Sequence, residues 1–189
     1  MTKDRKYLDP VELILNKLCS KGIYDHVEGG ISRYTVDETW LVPHFEKMLY
    51  DNIQYVNLLN NYLSNKENNY LKLKLIQTIK FINSEFIVKN NLLGSAYDAD
   101  SDGIEGKYYV WKYQELKDSL GNDLENFKKK YLISEQGNFE GSNILVENID
   151  QIENTDPKIL KIEQKLLDIR KKRNKPFFDD KSQTDLNSF

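Results

Sequence analysis

Both histidines of the chain, His26 and His44, fall in one stretch, DHVEGGISRYTVDETWLVPHFEK (residues 25–47), which also carries Arg33, Tyr34, Trp40 and Glu46. Histidine is the side chain whose unperturbed pKa lies near neutrality, so a pair can serve as general acid and base, for instance beside a carbonyl. Arg33 can fork onto a carboxylate or phosphate. The rings of Tyr34 and Trp40 offer faces on which a sugar can stack. Gly29 and Gly30 permit backbone conformations closed to other residues, so the chain can pass close to a ligand or to another segment. A structural reading competes with the ligand reading. Pro43-His44-Phe45-Glu46 reads as a helix start with Glu46 suiting the helix dipole, and Arg33 can pair with Asp37 or Glu38 and simply pin the loop.

A second set of candidates lies in DADSDGIEG (residues 98–106). Asp98, Asp100, Asp102 and Gly103 match the first half of a calcium loop, but its twelfth position is Tyr109 rather than a bidentate acid, so no metal is expected. The remaining readings are a solvated acidic turn or carboxylates directed into a pocket. Glycoside hydrolysis requires two acids, and Asp98, Asp100, Glu105 and Glu46 are where to seek them. FFDDKSQTD (residues 177–185) sets Asp179, Asp180, Lys181 and Asp185 close together, which from the residues alone reads as a charged tail. KKKYL and IRKKRNK read as solvated basic faces. The single cysteine, Cys19, excludes an intrachain disulfide and a CxxC pair, and its apolar helical neighbours assign it to the core.

The elements that must position these residues are mostly helices. Asp9 and Pro10 predict the start of a first helix that ends at Gly22, with Val11, Ile14, Leu15 and Leu18 on its apolar face. A second is expected from Pro43 to about Ser64. A third is expected from Tyr70 to Val88, with Leu71, Leu75, Ile79, Ile82 and Phe86 inward. Residues 92–112 change period and read as a hairpin or strand pair. Two short helices, near 114–120 and 123–131, a short strand near 143–147 and a last helix at 157–172 follow. The class expected is mainly α, with small β-hairpin insertions.

Composition narrows the partners. The 189 residues are 39% hydrophobic and 30% charged, with net charge −3 and a sequence pI near 5.5. No basic field for nucleic acid exists. No apolar run approaches the ~20 residues of a membrane span, and the N-terminus lacks a signal peptide's apolar core. A cytoplasmic protein without nucleic-acid or membrane partners and without a cofactor is expected.

GIYDHVEGGISRYTVDETWLVPHFEKMLYDN, AYDADSDGIEGKYYVW, QGNFEGSNIL and KPFFDDKSQTDLNS stand in the order and spacing of one family. They resemble the thioredoxin-domain-containing proteins of the spermatogenesis-associated type, from about Asp9 onward. The resemblance implies a partial (α/α) six-hairpin toroid over residues 1–189, akin to glycosidases and sugar epimerases. The family's N-terminal thioredoxin-like domain and later helical hairpins would be absent. Glu28 stands where the family has a third glycine, and Tyr97 where an acid usually precedes DAD. A toroid has twelve helices and this chain supplies about six, as from a split or truncated gene. The expected ligand is a carbohydrate bound by Arg33, Tyr34, Trp40, Glu46, Glu105, Asp180 and Lys181. The alternatives are epimerase- or isomerase-like or glycoside-hydrolase-like catalysis, with His26, His44, Asp98 and Asp100 as the catalytic candidates, or an inactive scaffold. An uncovered apolar stripe through Leu13, Val56, Leu63 and Ile79 would favour self-association or pairing with the remaining hairpins.

Overall fold

The computed structural model describes residues 5–148 and 156–188. Among the described residues there are six α-helices: α1 (Arg5–Ser20), α2 (Leu49–Leu63), α3 (Asn69–Glu85), α4 (Tyr113–Leu120), α5 (Leu124–Lys130) and α6 (Pro157–Arg170). Between them lie short strands β1 (Tyr34–Thr35), β2 (Pro43–His44), β3 (Lys47–Met48), β4 (Ala96–Tyr97), β5 (Asp100–Ser101), β6 (Ile104–Glu105) and β7 (Phe178–Asp179). About half of the chain is helical, so the class is mainly α with small antiparallel sheets.

Helix starts follow their caps where the sequence supplies them. The Asn68 side chain accepts from the Leu71 amide ahead of α3, and Asp156 accepts from the Lys158 amide ahead of α6 with Pro157 in its first turn. α1 departs from expectation, beginning at Arg5 with Pro10 inside it. At that position proline removes only one near-terminal hydrogen bond. Leu15 and Cys19 face the core as expected, whereas Ile14 is exposed.

The expected helix from Pro43 is corrected. Residues 43–48 are extended, burying Pro43, Phe45 and Lys47 and turning His44, Glu46 and Met48 outward. That alternation has the period of a strand, and helix α2 begins only at Leu49. β2 pairs with β1, Tyr34 opposite His44. β3, β4 and β7 form a three-stranded sheet with Lys47 opposite Tyr97 and Ala96 opposite Asp179. β5 and β6 close a hairpin with Asp100 opposite Glu105. The segment near 143–147 makes only isolated bridges, Asn143 to Trp111 and Glu147 to Tyr131.

α1, α2 and α3 enclose one apolar cluster around Leu15, Cys19, Tyr55, Leu59 and Leu71, and α4, α5 and α6 enclose another around Trp111, Phe127, Ile162 and Leu166. Around α3, Leu71, Ile82 and Phe86 are buried and Leu75 packs on the core as expected, but Ile79 is exposed, and Lys74, Thr78 and Phe81 are buried in addition. The buried stripe follows Lys74 and Thr78, which have polar partners waiting inside. Of the stripe expected to lie open, Leu13 and Ile79 are exposed while Val56 and Leu63 pack against the apolar clusters. Among the described residues no helix is long and apolar enough to cross a membrane.

Candidate functional site

The extended run from Pro43 to Met48 has two faces with different chemistry. On the outward face His44 is half-buried and held on three sides. Its Nδ1 lies 2.8 Å from Glu105 Oε1 on β6, its Nε2 lies 3.8 Å from Glu46 Oε2, and the Tyr34 ring stacks on it at 4.9 Å. Arg33 donates to the same Glu46 oxygen at 2.9 Å. The ring is thus oriented by β1, by its own strand and by the acidic hairpin. Arg33 pairs with Glu46 and not with Asp37 or Glu38. The Asp37 carboxylate instead accepts from the amides of Thr39, Leu41 and Val42. Burial pushes its pKa up, but those bonds together with the Thr39 hydroxyl outweigh burial and hold it at about 2.

Asp51, in the first turn of α2, extends this outward cluster. Its Oδ2 is buried with no hydrogen-bond partner. Burial pushes its pKa up to about 6, with Arg33 opposing and Glu46 adding to the rise. A cleft of about 400 Å³ opens over the three-stranded sheet, lined among others by Glu46, Asp98 and Asp179. A second, of about 440 Å³, lies on the other side of Glu105. His44 therefore stands between two carboxylates, each of which lines a different cleft.

The inward face is a closed ionic interior. Lys47 donates to Asp25 at 2.7 Å and to the Gly29 carbonyl at 3.0 Å, with the rings of Phe81 and Tyr109 around its ammonium. Arg170 of α6 forks onto both Asp25 oxygens at 2.9 and 2.8 Å and reaches Glu28 at 3.1 Å. Burial alone would raise the Asp25 pKa, but Arg170 and then Lys47 hold it well below the carboxylate range. Arg173 stacks over Trp111 at 4.1 Å. IRKKRNK is thus not a uniformly solvated face, since Arg170 is 1% exposed. Lys130 of KKKYL likewise turns inward to Glu163 at 2.9 Å.

His26 belongs to this interior. It is 3% exposed; its Nε2 lies 3.1 Å from the Lys21 carbonyl and its Nδ1 lies 3.2 Å from Lys74 Nζ. A carbonyl only accepts, so Nε2 carries the proton and the Nδ1 lone pair accepts from the ammonium. Burial, and then the charge of Lys74, lower its pKa, although Glu147 opposes. Glu147 anchors Lys74 at 2.9 Å and accepts from the Tyr70 hydroxyl at 2.6 Å. The two histidines do not face a common cleft: one is sealed and neutral, the other half-exposed.

The remaining candidates divide between these regions. Trp40 sits at φ 62 in the loop, its carbonyl accepting from the Gly22 amide. Asp98 and Asp100 are both exposed, Asp98 at the Glu46 cleft and Asp100 across from Glu105. Asp180 is exposed, and Lys181 reaches Asp179 at 3.2 Å. Gly29 and Gly30 serve close packing: a Cβ on Gly29 would meet the Gln77 carbonyl at 2.7 Å, and one on Gly30 the Phe81 ring at 2.5 Å. Among the described residues no group of three or more His, Cys, Asp or Glu could hold a metal ion. Sequence reasoning missed Asp25, Lys47, Lys74, Glu147 and Arg170. The available signal was a lysine or arginine at an apolar register position, as Arg170 four residues after Leu166.

Fold and site together describe a mainly α protein with a histidine–carboxylate–arginine cluster on the outer face of small antiparallel sheets. No family model matches the chain. It is 30% identical over 144 residues to spermatogenesis-associated protein 20 of Mus musculus, an alignment covering 68% of this chain and 18% of that protein. The Homo sapiens protein of the same name is 29% identical with the same coverage. An uncharacterized protein of Caenorhabditis elegans is 32% identical over 116 residues, covering 57% of this chain and 16% of its own length. The aligned stretch thus spans under a fifth of each relative.

Proposed function

We propose that this chain is part of a six-hairpin (α/α) toroid of the thioredoxin-domain-containing, spermatogenesis-associated type, and that its outward cluster binds a sugar-like ligand. The observation that carries the reading is His44, fixed between Glu105 and Glu46 and stacked on Tyr34 while half open to solvent. Carboxylates accept from ring hydroxyls, a guanidinium donates to ring oxygens, and an aromatic face covers a sugar's C–H surface. Binding rather than two-histidine proton transfer is the function proposed, because His26 has both nitrogens engaged and almost no exposure.

The test is ligand-detected NMR and calorimetry on the purified chain with glucose, mannose and N-acetylglucosamine. Saturable binding of at least one sugar, abolished in His44→Ala, is expected. Failure of all three to bind would overturn the reading in favour of a non-binding scaffold.

A further inference from the structure

The cleft of about 400 Å³ over the sheet β3–β4–β7 has at its wall an aromatic ring more exposed than Tyr34 of the His44 cluster. Phe177 is 73% exposed. Isolated apolar residues on a surface need no explanation by themselves, so its setting has to decide. Its carbonyl accepts from the Asp98 amide at 2.8 Å, which ties its backbone to the segment following β4. Its neighbour Phe178 turns the other way and stacks on Tyr97 at 4.5 Å. The strand alternation therefore fixes Phe178 inside and Phe177 outside, on a support that costs little entropy to hold. The same cleft is lined by Tyr50, Glu46, Asp98 and Asp179. Each carboxylate offers about four lone-pair sites. Asp98 commits an oxygen to the Ala99 amide, while Asp179 engages Lys181. Acceptors thus remain for hydroxyl donors beside a ring face. The volume suits a small-molecule site.

Glu46 joins the two places. It lines this cleft, and its Oε2 lies 2.9 Å from Arg33 and 3.8 Å from His44. We infer that the cleft is a second carbohydrate subsite, contiguous with the His44 cluster through Glu46, with Phe177 as its stacking platform. The ligand would then be an oligosaccharide or glycoside long enough to occupy both. This rests on the sugar-binding reading of the His44 cluster and adds the ligand's length and a specificity-determining residue.

The experiment compares glucose and N-acetylglucosamine with maltose, cellobiose and chitobiose by calorimetry on the wild-type chain, Phe177→Ala, Phe177→Tyr and His44→Ala. One disaccharide should bind roughly five- to tenfold more tightly than its monosaccharide, the gain expected of one added aromatic contact. Phe177→Ala should erase that gain and leave monosaccharide affinity unchanged, Phe177→Tyr should keep it, and His44→Ala should lose both ligands. Equal affinity for mono- and disaccharides, or a gain that survives Phe177→Ala, would overturn the second subsite while sparing the first. If no saccharide binds, the underlying reading falls and the subsite with it.

Discussion

Glu46 and Lys47 are adjacent in sequence and belong to opposite electrostatic regimes. Glu46 shares one oxygen between Arg33 and His44 at a partly solvated surface, where water screens the pair. Lys47 is 1% exposed and relies on Asp25, a backbone carbonyl and two aromatic faces to replace its hydration. The difference teaches which residues are free to meet a ligand. A buried ion has its partners assigned by the fold, and removing one leaves an uncompensated charge. A half-exposed ion can exchange a protein partner for a ligand at small cost.

The sharpest way to break that contrast is to cut the interior. Arg170→Leu should destabilise the chain by about 3–5 kcal/mol in urea unfolding, because Asp25 keeps its charge and loses a bidentate partner. The same variant should change the acid limb. The Asp25 pKa is lowered in the folded state, so its contribution is complete above pH ~4, the unfolded value, and is lost as pH falls toward the folded value. Stability of the wild type should fall as pH drops below 4, and more shallowly in the variant. A loss below 1 kcal/mol would place Asp25 and Arg170 in the screened regime.

Two glycines test the same contrast through the backbone. Gly30→Ala, at φ +81 with its Cβ directed into Phe81 and Asn52, should cost about 2–4 kcal/mol from strain and overpacking together. Gly103→Ala, at φ +71 with open space around it, should cost only the backbone part, roughly 1 kcal/mol. Thermal melts of the two variants decide between them.

Asp51 lies between the regimes. Its pKa of about 6 exceeds the value of 3.8 it would have free, so the folded state holds the proton more tightly, and stability falls as pH rises from about 4 to 6. The full shift would be worth ~3 kcal/mol, but partial exposure screens it to about 1. Asp51→Asn should therefore gain about 1 kcal/mol at pH 7 and nothing at pH 4, read by urea unfolding at both. The smallest effect is expected at the surface: His44→Ala should shift stability by less than about 0.5 kcal/mol while abolishing sugar binding.

Much was legible in the residues themselves. Asn68 and Asp156 with Pro157 mark their helix starts, the Gly- and Asp-rich run marks the β5–β6 hairpin, and Cys19 lies in the core with its sulfur 2.7 Å from the Tyr55 hydroxyl. Of the candidate residues gathered around one loop, the structure brings His44, Arg33, Tyr34 and Glu46 into contact. These signals are local, set by capping, turn chemistry and composition over a few residues. Other features required partners far away in the chain. Residues 43–48 have spacing compatible with either period, and pairing with β1 and β4 selects the strand. Whether Lys74 and Arg170 face water or the core depends on Glu147 and Asp25, 73 and 145 residues distant. His26 and His44 look equivalent in sequence, since a side chain's intrinsic chemistry is independent of place. Only the tertiary structure separates them, because exposure and the occupancy of each ring nitrogen are set by neighbours that the chain brings from elsewhere.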